Sequence, residues 1–278
     1  MGKIKLTEKE KDLIKKNQKY IQNNDWDGFF NAIEDAIEDY YYSKWYSDLS
    51  KAVVHIFQFC LECVPNLLYK ITKIPDYAFG YSNSNIESIT IPSNIKEIGG
   101  GAFLGCGKLK SVIIQNGVKA IGDYAFEGCR SLTNITIPDS VTRIGYGAFG
   151  YCESLKSINI PDSVTEIKKN AFAHCKSLTS ITIPDSVIKI EEWAFYGCEN
   201  LESITIPNSV TTIWADAFAF CTSLTNVTIP DSVTAVGPNL FYECDRLKYI
   251  SIPKHLEKNN RVDCSELVPK DCEIEVRS

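Results

Sequence analysis

The stretch Leu132-Thr133-Asn134-Ile135-Thr136-Ile137-Pro138-Asp139-Ser140-Val141-Thr142-Arg143-Ile144-Gly145-Tyr146-Gly147-Ala148-Phe149-Gly150-Tyr151-Cys152-Glu153-Ser154 is one unit of a repeat, and its recurrence decides the fold. Phe103, Phe126, Phe149, Phe172, Phe195, Phe218 and Phe241 follow one another at intervals of 23 residues. Cys106, Cys129, Cys152, Cys175, Cys198, Cys221 and Cys244 keep the same interval, as do Leu109, Leu132, Leu155, Leu178, Leu201, Leu224 and Leu247. A period in the low twenties is that of a short-coil solenoid, in which each unit buries its apolar edge only against its neighbours.

Inside the unit, Ile135 and Ile137 alternate with Thr136, so Leu132 to Ile137 reads as a short strand. Pro138 withholds a ladder donor and ends it, and Asp139 with Ser140 supplies turn chemistry. Val141 to Ile144 reads as a second extended piece, stopped at Gly145. Phe149 fills the middle of the coil, Ala148 leaves room beside the ring, and Cys152 occupies a slot too tight for Leu.

Half a unit, from Ile71 to Phe79, precedes the array; Phe79 lies 24 residues before Phe103, which places one inserted residue around Ser82 to Asn85. After Pro253 the pattern dissolves, but Cys272-Glu273-Ile274-Glu275-Val276 alternates like a strand that closes the edge of the last coil. The first 70 residues differ in kind. Thr7 and Glu10 form a capping box that opens one helix, and Asp25 caps a second bearing Trp26, Phe29, Phe30, Ile33, Ala36 and Ile37. A third runs from about Ser47 toward Pro65. The expected organisation is an α-helical N-terminal cap over 1–70, a repeat solenoid with a parallel β sheet of short strands over 71–253, and a C-terminal cap over 254–278.

The complete pattern, Ile-x-Ile-Pro-x-Ser-Val-x-x-Ile-Gly-x-x-Ala-Phe-x-x-Cys-x-x-Leu, resembles the BspA-like leucine-rich repeat family over about residues 71–253. It departs from the common leucine-rich consensus where an Asn ladder bonds the turn backbone: Ser140, Ser163, Ser186, Ser209 and Ser232 stand near that place. The resemblance implies a curved solenoid. It also implies secreted or surface-exposed relatives that bind host matrix proteins or other cells.

Composition narrows the function classes. A net charge of −6 and a pI near 5.3, without a basic stripe, argue against nonspecific nucleic-acid binding. No apolar run reaches the roughly 18 residues of a membrane span, so no membrane insertion is expected. The first residues are charged at once, without the apolar core of a signal peptide, and free thiols fit a reducing compartment. The expected location is therefore cytoplasmic, with a secreted or surface location as the alternative if a leader has been removed.

No chemistry of catalysis emerges. Cys60-x-x-Cys63 has half a zinc spacing, but Cys264 and Cys272 lie at the far end of the stack, nearly 40 Å away at about 4.8 Å per coil. A Cys264–Cys272 disulfide stays open for an exported protein. His55, His174 and His255 occur in unrelated settings, and the column Asp139, Asp162, Asp185, Asp231 is ordinary turn chemistry broken by Asn208. No catalytic residue, metal or cofactor is expected.

Two surfaces are left for a partner. One is the uncharged strand face, with Ser157, Ser180 and Ser203 in one outward column and Thr182 and Thr205 in the next; the same columns continue to Tyr249 and Ser251. The other carries large residues that break the consensus: Tyr124, Tyr146, Tyr151, Trp193, Tyr196, Trp214, Phe220 and Tyr242, with His174 among them. Trp193 and Trp214 lie on adjacent coils and are expected to share a patch. Exposed aromatic side chains are costly unless covered and are enriched at binding hot spots, although packing over neighbouring turns is the competing explanation. The function expected is a non-enzymatic module that binds, and in one version blocks, another protein; the alternative is a secreted or surface adhesin. Pairing of two copies through an end coil is open.

Overall fold

A computed structural model of the chain describes residues 72–80, 86–258 and 272–277. The expected helices of residues 1–70, the Thr7–Glu10 box, His55, Cys60, Cys63, Cys264 and the insertion near Ser82 lie outside the described residues. What is described is a parallel β-solenoid. Within each ladder a coil lays a short strand on the equivalent strand of the neighbouring coil, with a register step of one repeat. Glu97–Ile98, Ala120–Ile121 and Arg143–Ile144 pair through Ile98, Ile121 and Ile144. On a second side of the coil, Ser111–Ile114 pairs with Ser88–Ile91 and with Asn134–Thr136.

The corners follow from the sequence. The Val141 amide donates to the Pro138 carbonyl at 3.0 Å, a turn repeated at Pro161, Pro184, Pro207 and Pro230. The serine that follows Asp in this turn holds the coil below it: Ser140 Oγ donates to the Val118 carbonyl at 2.7 Å, Ser186 to Val164 at 2.6 Å and Ser232 to Val210 at 2.7 Å, with Ser163 on Val141. Ser209 has the same place, but its buried hydroxyl has no hydrogen-bond partner.

The interior is one dry column. Eight phenylalanine rings, from Phe79 to Phe241, stack face to face with centroids 4.7 to 5.7 Å apart. All are buried, as are the seven repeat cysteines, which are free thiols. The thiols do more than fill a slot. Each donates to the carbonyl of the phenylalanine one coil earlier, for example Cys152 Sγ to Phe126 at 3.2 Å and Cys198 Sγ to Phe172 at 3.2 Å. Alanine would fit there without supplying that donor, and serine would bring a more strongly hydrated group into the apolar column.

Two features depart from a uniform stack. Among the described residues both strand ladders stop at one boundary: Arg143–Ile144 does not pair with Glu166–Ile167, and the stretch around Asn159 keeps only a bridge to Thr182; the strand-face ladder breaks again between Ser203–Thr205 and Asn226–Thr228. The ring side stays bonded across it, with Phe149 N–H on Ala171 at 2.9 Å, and the phenylalanine spacing is widest there, 5.7 Å. At the C-terminal end, Glu273–Arg277 adds a parallel strand to Tyr249–Pro253. Ser251, expected on the open strand face, is instead 3% exposed, because Glu275 accepts its hydroxyl proton at 2.6 Å and Arg277 Nη1 lies 3.0 Å from its oxygen.

Candidate functional site

Two backbone columns per coil run through left-handed conformation. One contains Tyr77, Gly101, Tyr124, Gly147, Asn170, Trp193, Asp216 and Asn239; the other contains Gly105, Gly128, Tyr151, His174, Gly197, Phe220 and Glu243. Glycine adopts positive φ without penalty, and asparagine tolerates it. Bulky side chains do so at roughly 1–2 kcal/mol each. Tyr151 (φ 57°), His174 (57°), Trp193 (56°) and Phe220 (60°) therefore hold conformations that sister coils give to glycine.

Neighbouring glycines make room for some of these rings. A Cβ on Gly101 would lie 2.5 Å from the Tyr77 ring, one on Gly147 2.6 Å from Tyr124, and one on Gly197 2.7 Å from His174 Nδ1. Each of these aromatic rings thus rests on the bare backbone of the next coil, so the packing explanation accounts for part of the pattern.

Further along, the rings meet one another. Tyr151 stacks on His174 at 4.5 Å, His174 meets Tyr196 edge-on at 5.2 Å, Tyr196 tilts against Phe220 at 5.1 Å, and Phe220 meets Tyr242 edge-on at 5.5 Å. This ladder floors an open groove of roughly 630 Å³, edged by Trp193, Asn170, Asn239, Glu127 and Asp216. Trp193 remains 38% exposed, with the Lys169 ammonium 4.4 Å from its ring centre. Burial, followed by the nearby Lys176 charge, lowers the His174 pKa, so the groove centre tends to be neutral. Burial raises the Glu127 pKa, and among the described residues neither Glu127 nor Asp216 has an ion-pair partner.

Of the residues singled out from sequence, the groove brings together Tyr151, His174, Trp193, Tyr196, Phe220 and Tyr242. Tyr146 and Trp214 are exposed but do not line it, and Tyr146 has Lys168 5.7 Å from its ring centre. The patch expected of Trp193 with Trp214 is thus not formed by the groove. Ser157, Ser180, Ser203, Thr182 and Thr205 are exposed on the strand face. Thr205 joins Asn208, Asn226, Thr228 and Arg277 around a second cleft of roughly 410 Å³, which shares no residue with the first. Glu127, Asn170, Asp216 and Asn239 were not anticipated; the signal was their place in, or beside, columns that carry glycine in other coils. Among the described residues no cluster of His, Cys, Asp and Glu could hold a metal ion, and no helix is long and apolar enough to cross a membrane.

The profile of the BspA type leucine rich repeat region matches residues 72–200 and 165–262, in 6 copies. Among solved structures, the T. pallidum leucine-rich repeat protein is 30% identical with a TM-score of 0.59, the likeness covering 74% of this chain and 91% of that one. A leucine-rich repeat protein from Bacteroides ovatus is 28% identical with a TM-score of 0.52, covering 74% of this chain and 67% of that one. A leucine rich cell surface protein from Faecalibacterium prausnitzii is 27% identical with a TM-score of 0.48, covering 75% and 83%. No curated protein matches the chain.

Proposed function

The chain belongs to the BspA-type leucine-rich repeat family, and on that premise we propose that it is a non-enzymatic protein-recognition module that captures another protein in its aromatic groove. The observation that carries this reading is strain. Trp193, Tyr151, His174 and Phe220 occupy backbone positions that glycine fills elsewhere in the same array, yet keep large rings at or near the surface. Outliers of this kind cluster at ligand clamps, and tryptophan and tyrosine dominate binding energy at interfaces. The strand face offers mainly short uncharged side chains, Ile113 and Tyr249 apart, and these suit exposed strands whether or not they bind anything.

The location proposed is secreted or at the cell surface, as the family resemblance implies. The expectation of a cytoplasmic protein leaned on the charged first residues and on free thiols. Those of the repeat are sealed and bonded to carbonyls, so an oxidant outside the cell meets none of them at the surface. They do not distinguish the compartments.

Capture experiments with the native protein, a groove variant (Trp193→Ala with Tyr196→Ala) and a strand-face variant (Ser180→Glu with Ser203→Glu) test the reading. Partners retained by the native protein and the strand-face variant, but lost by the groove variant, are the expected result. Loss in the strand-face variant alone overturns it.

A further inference from the structure

We infer that the occupant of the groove is an extended, proline-rich segment bearing two arginines; this rests on the groove being the recognition surface. The ring geometry argues for a segment with ridges. His174 and Tyr196, and Phe220 and Tyr242, meet edge-on, so the floor alternates notches and crests and offers no flat platform. Successive rings lie 5.1 to 5.5 Å apart from His174 to Tyr242, so every second ring falls at about 10 Å. A polyproline II segment repeats every three residues, about 9.3 Å, close to that two-coil step. Its side chains then enter alternate notches in register.

Polar groups fit the same occupant. A polyproline II backbone makes no internal hydrogen bonds and presents free carbonyls. Trp193 and Tyr196, which carry an indole N–H and a hydroxyl, line the groove, and aromatic-lined grooves recognise proline-rich segments. The charges select the flanks. The groove lining contains the carboxylates Glu127 and Asp216 and no lysine or arginine. These two acids belong to coils four steps apart, about 20 Å at the usual strand spacing. At about 3.1 Å per residue that span corresponds to about six residues of the bound segment. Arginine suits both ends because its planar cation pairs with carboxylates and lies against ring faces. Lys169 over Trp193 already sets a cation on one ring of this surface.

The test is fluorescence anisotropy with the full chain and dye-labelled peptides. The first peptide is polyproline with two arginines about six residues apart. The second has glutamates in their place, and the third keeps the arginines on a glycine-serine backbone. The first binds, and the other two bind at least about tenfold more weakly, because charge and preorganisation are each lost. Glu127→Gln with Asp216→Asn weakens the first peptide about tenfold and flattens its salt dependence. Asparagine suits the left-handed position of residue 216, so this variant keeps the fold. Equal binding of the glycine-serine peptide, binding indifferent to the two acids, or capture of an oligosaccharide in place of the peptides overturns the inference. If no peptide binds while partner capture still depends on Trp193 and Tyr196, the inference falls and the recognition surface stands.

Discussion

Replacing Cys198 with alanine should produce a stability change that reverses with pH. The thiol is buried, donates to the Phe172 carbonyl at 3.2 Å, and burial pushes its pKa up from 9.0 to about 12. At pH 7 it is protonated in both folded and unfolded chains, so the substitution removes a weak hydrogen bond and some packing, about 1 kcal/mol. Above pH 9 the unfolded chain releases the proton while the folded chain keeps it. Its contribution is therefore complete below the unfolded pKa and lost as pH rises toward the folded value. One unit of pH is worth about 1.4 kcal/mol per thiol, so at pH 10 the thiol has lost about that much. The alanine variant should thus be about 1 kcal/mol less stable at pH 7 and equal or slightly more stable at pH 10. Cys129, Cys152, Cys175, Cys221 and Cys244 are raised for the same first cause, so the native array should weaken steeply over this interval. Urea unfolding followed by circular dichroism under reductant, at pH 7 to 10, measures both. A stability difference that does not move with pH would refute the sealed spine.

Three further outcomes follow from particular contacts. Trp193→Gly should raise stability by up to about 1 kcal/mol by relieving its left-handed backbone, whereas Trp193→Ala keeps the strain and gains nothing; calorimetric melting of the two variants separates strain from packing. Ser186→Ala should cost about 1 kcal/mol, because the Val164 carbonyl loses its donor, while Ser209→Ala, removing a buried hydroxyl without a partner, should be neutral or stabilising in urea titration. Hydrogen exchange should be faster for the strands on either side of the Ile144/Ile167 boundary than for those at Ile190 and Ile213, since both strand ladders are interrupted at that boundary while the Ile190–Ile213 pairing is intact.

The spine was legible because its signals recur: one ring, one sulfur and one leucine per coil leave no other register in which all are buried. The expected strand over Leu132 to Ile137 shrank to Asn134–Thr136, since Pro138 and the turns at either end leave few residues free to pair. The left-handed columns were written in Gly101 and Gly147 beside Tyr124, in Gly128 beside Tyr151 and in Gly197 beside His174, but the aromatic residues masked a backbone requirement that glycine would have announced. Ser251 could not be read from its column, because the groups that bury it, Glu275 and Arg277, come from a strand outside the repeat. Six of the aromatic deviations line the groove, whereas Tyr146 and Trp214 do not, because the column assigns a residue to a side of the coil without fixing where its ring ends.

The most direct test of the groove is photo-crosslinking from inside it. A benzophenone-bearing phenylalanine analogue replaces Tyr196 in one protein and Ser180, on the strand face, in another, and each is irradiated with cell-surface and matrix extracts. Covalent adducts from position 196 and none from position 180 are predicted. Adducts formed only from position 180 would contradict the account.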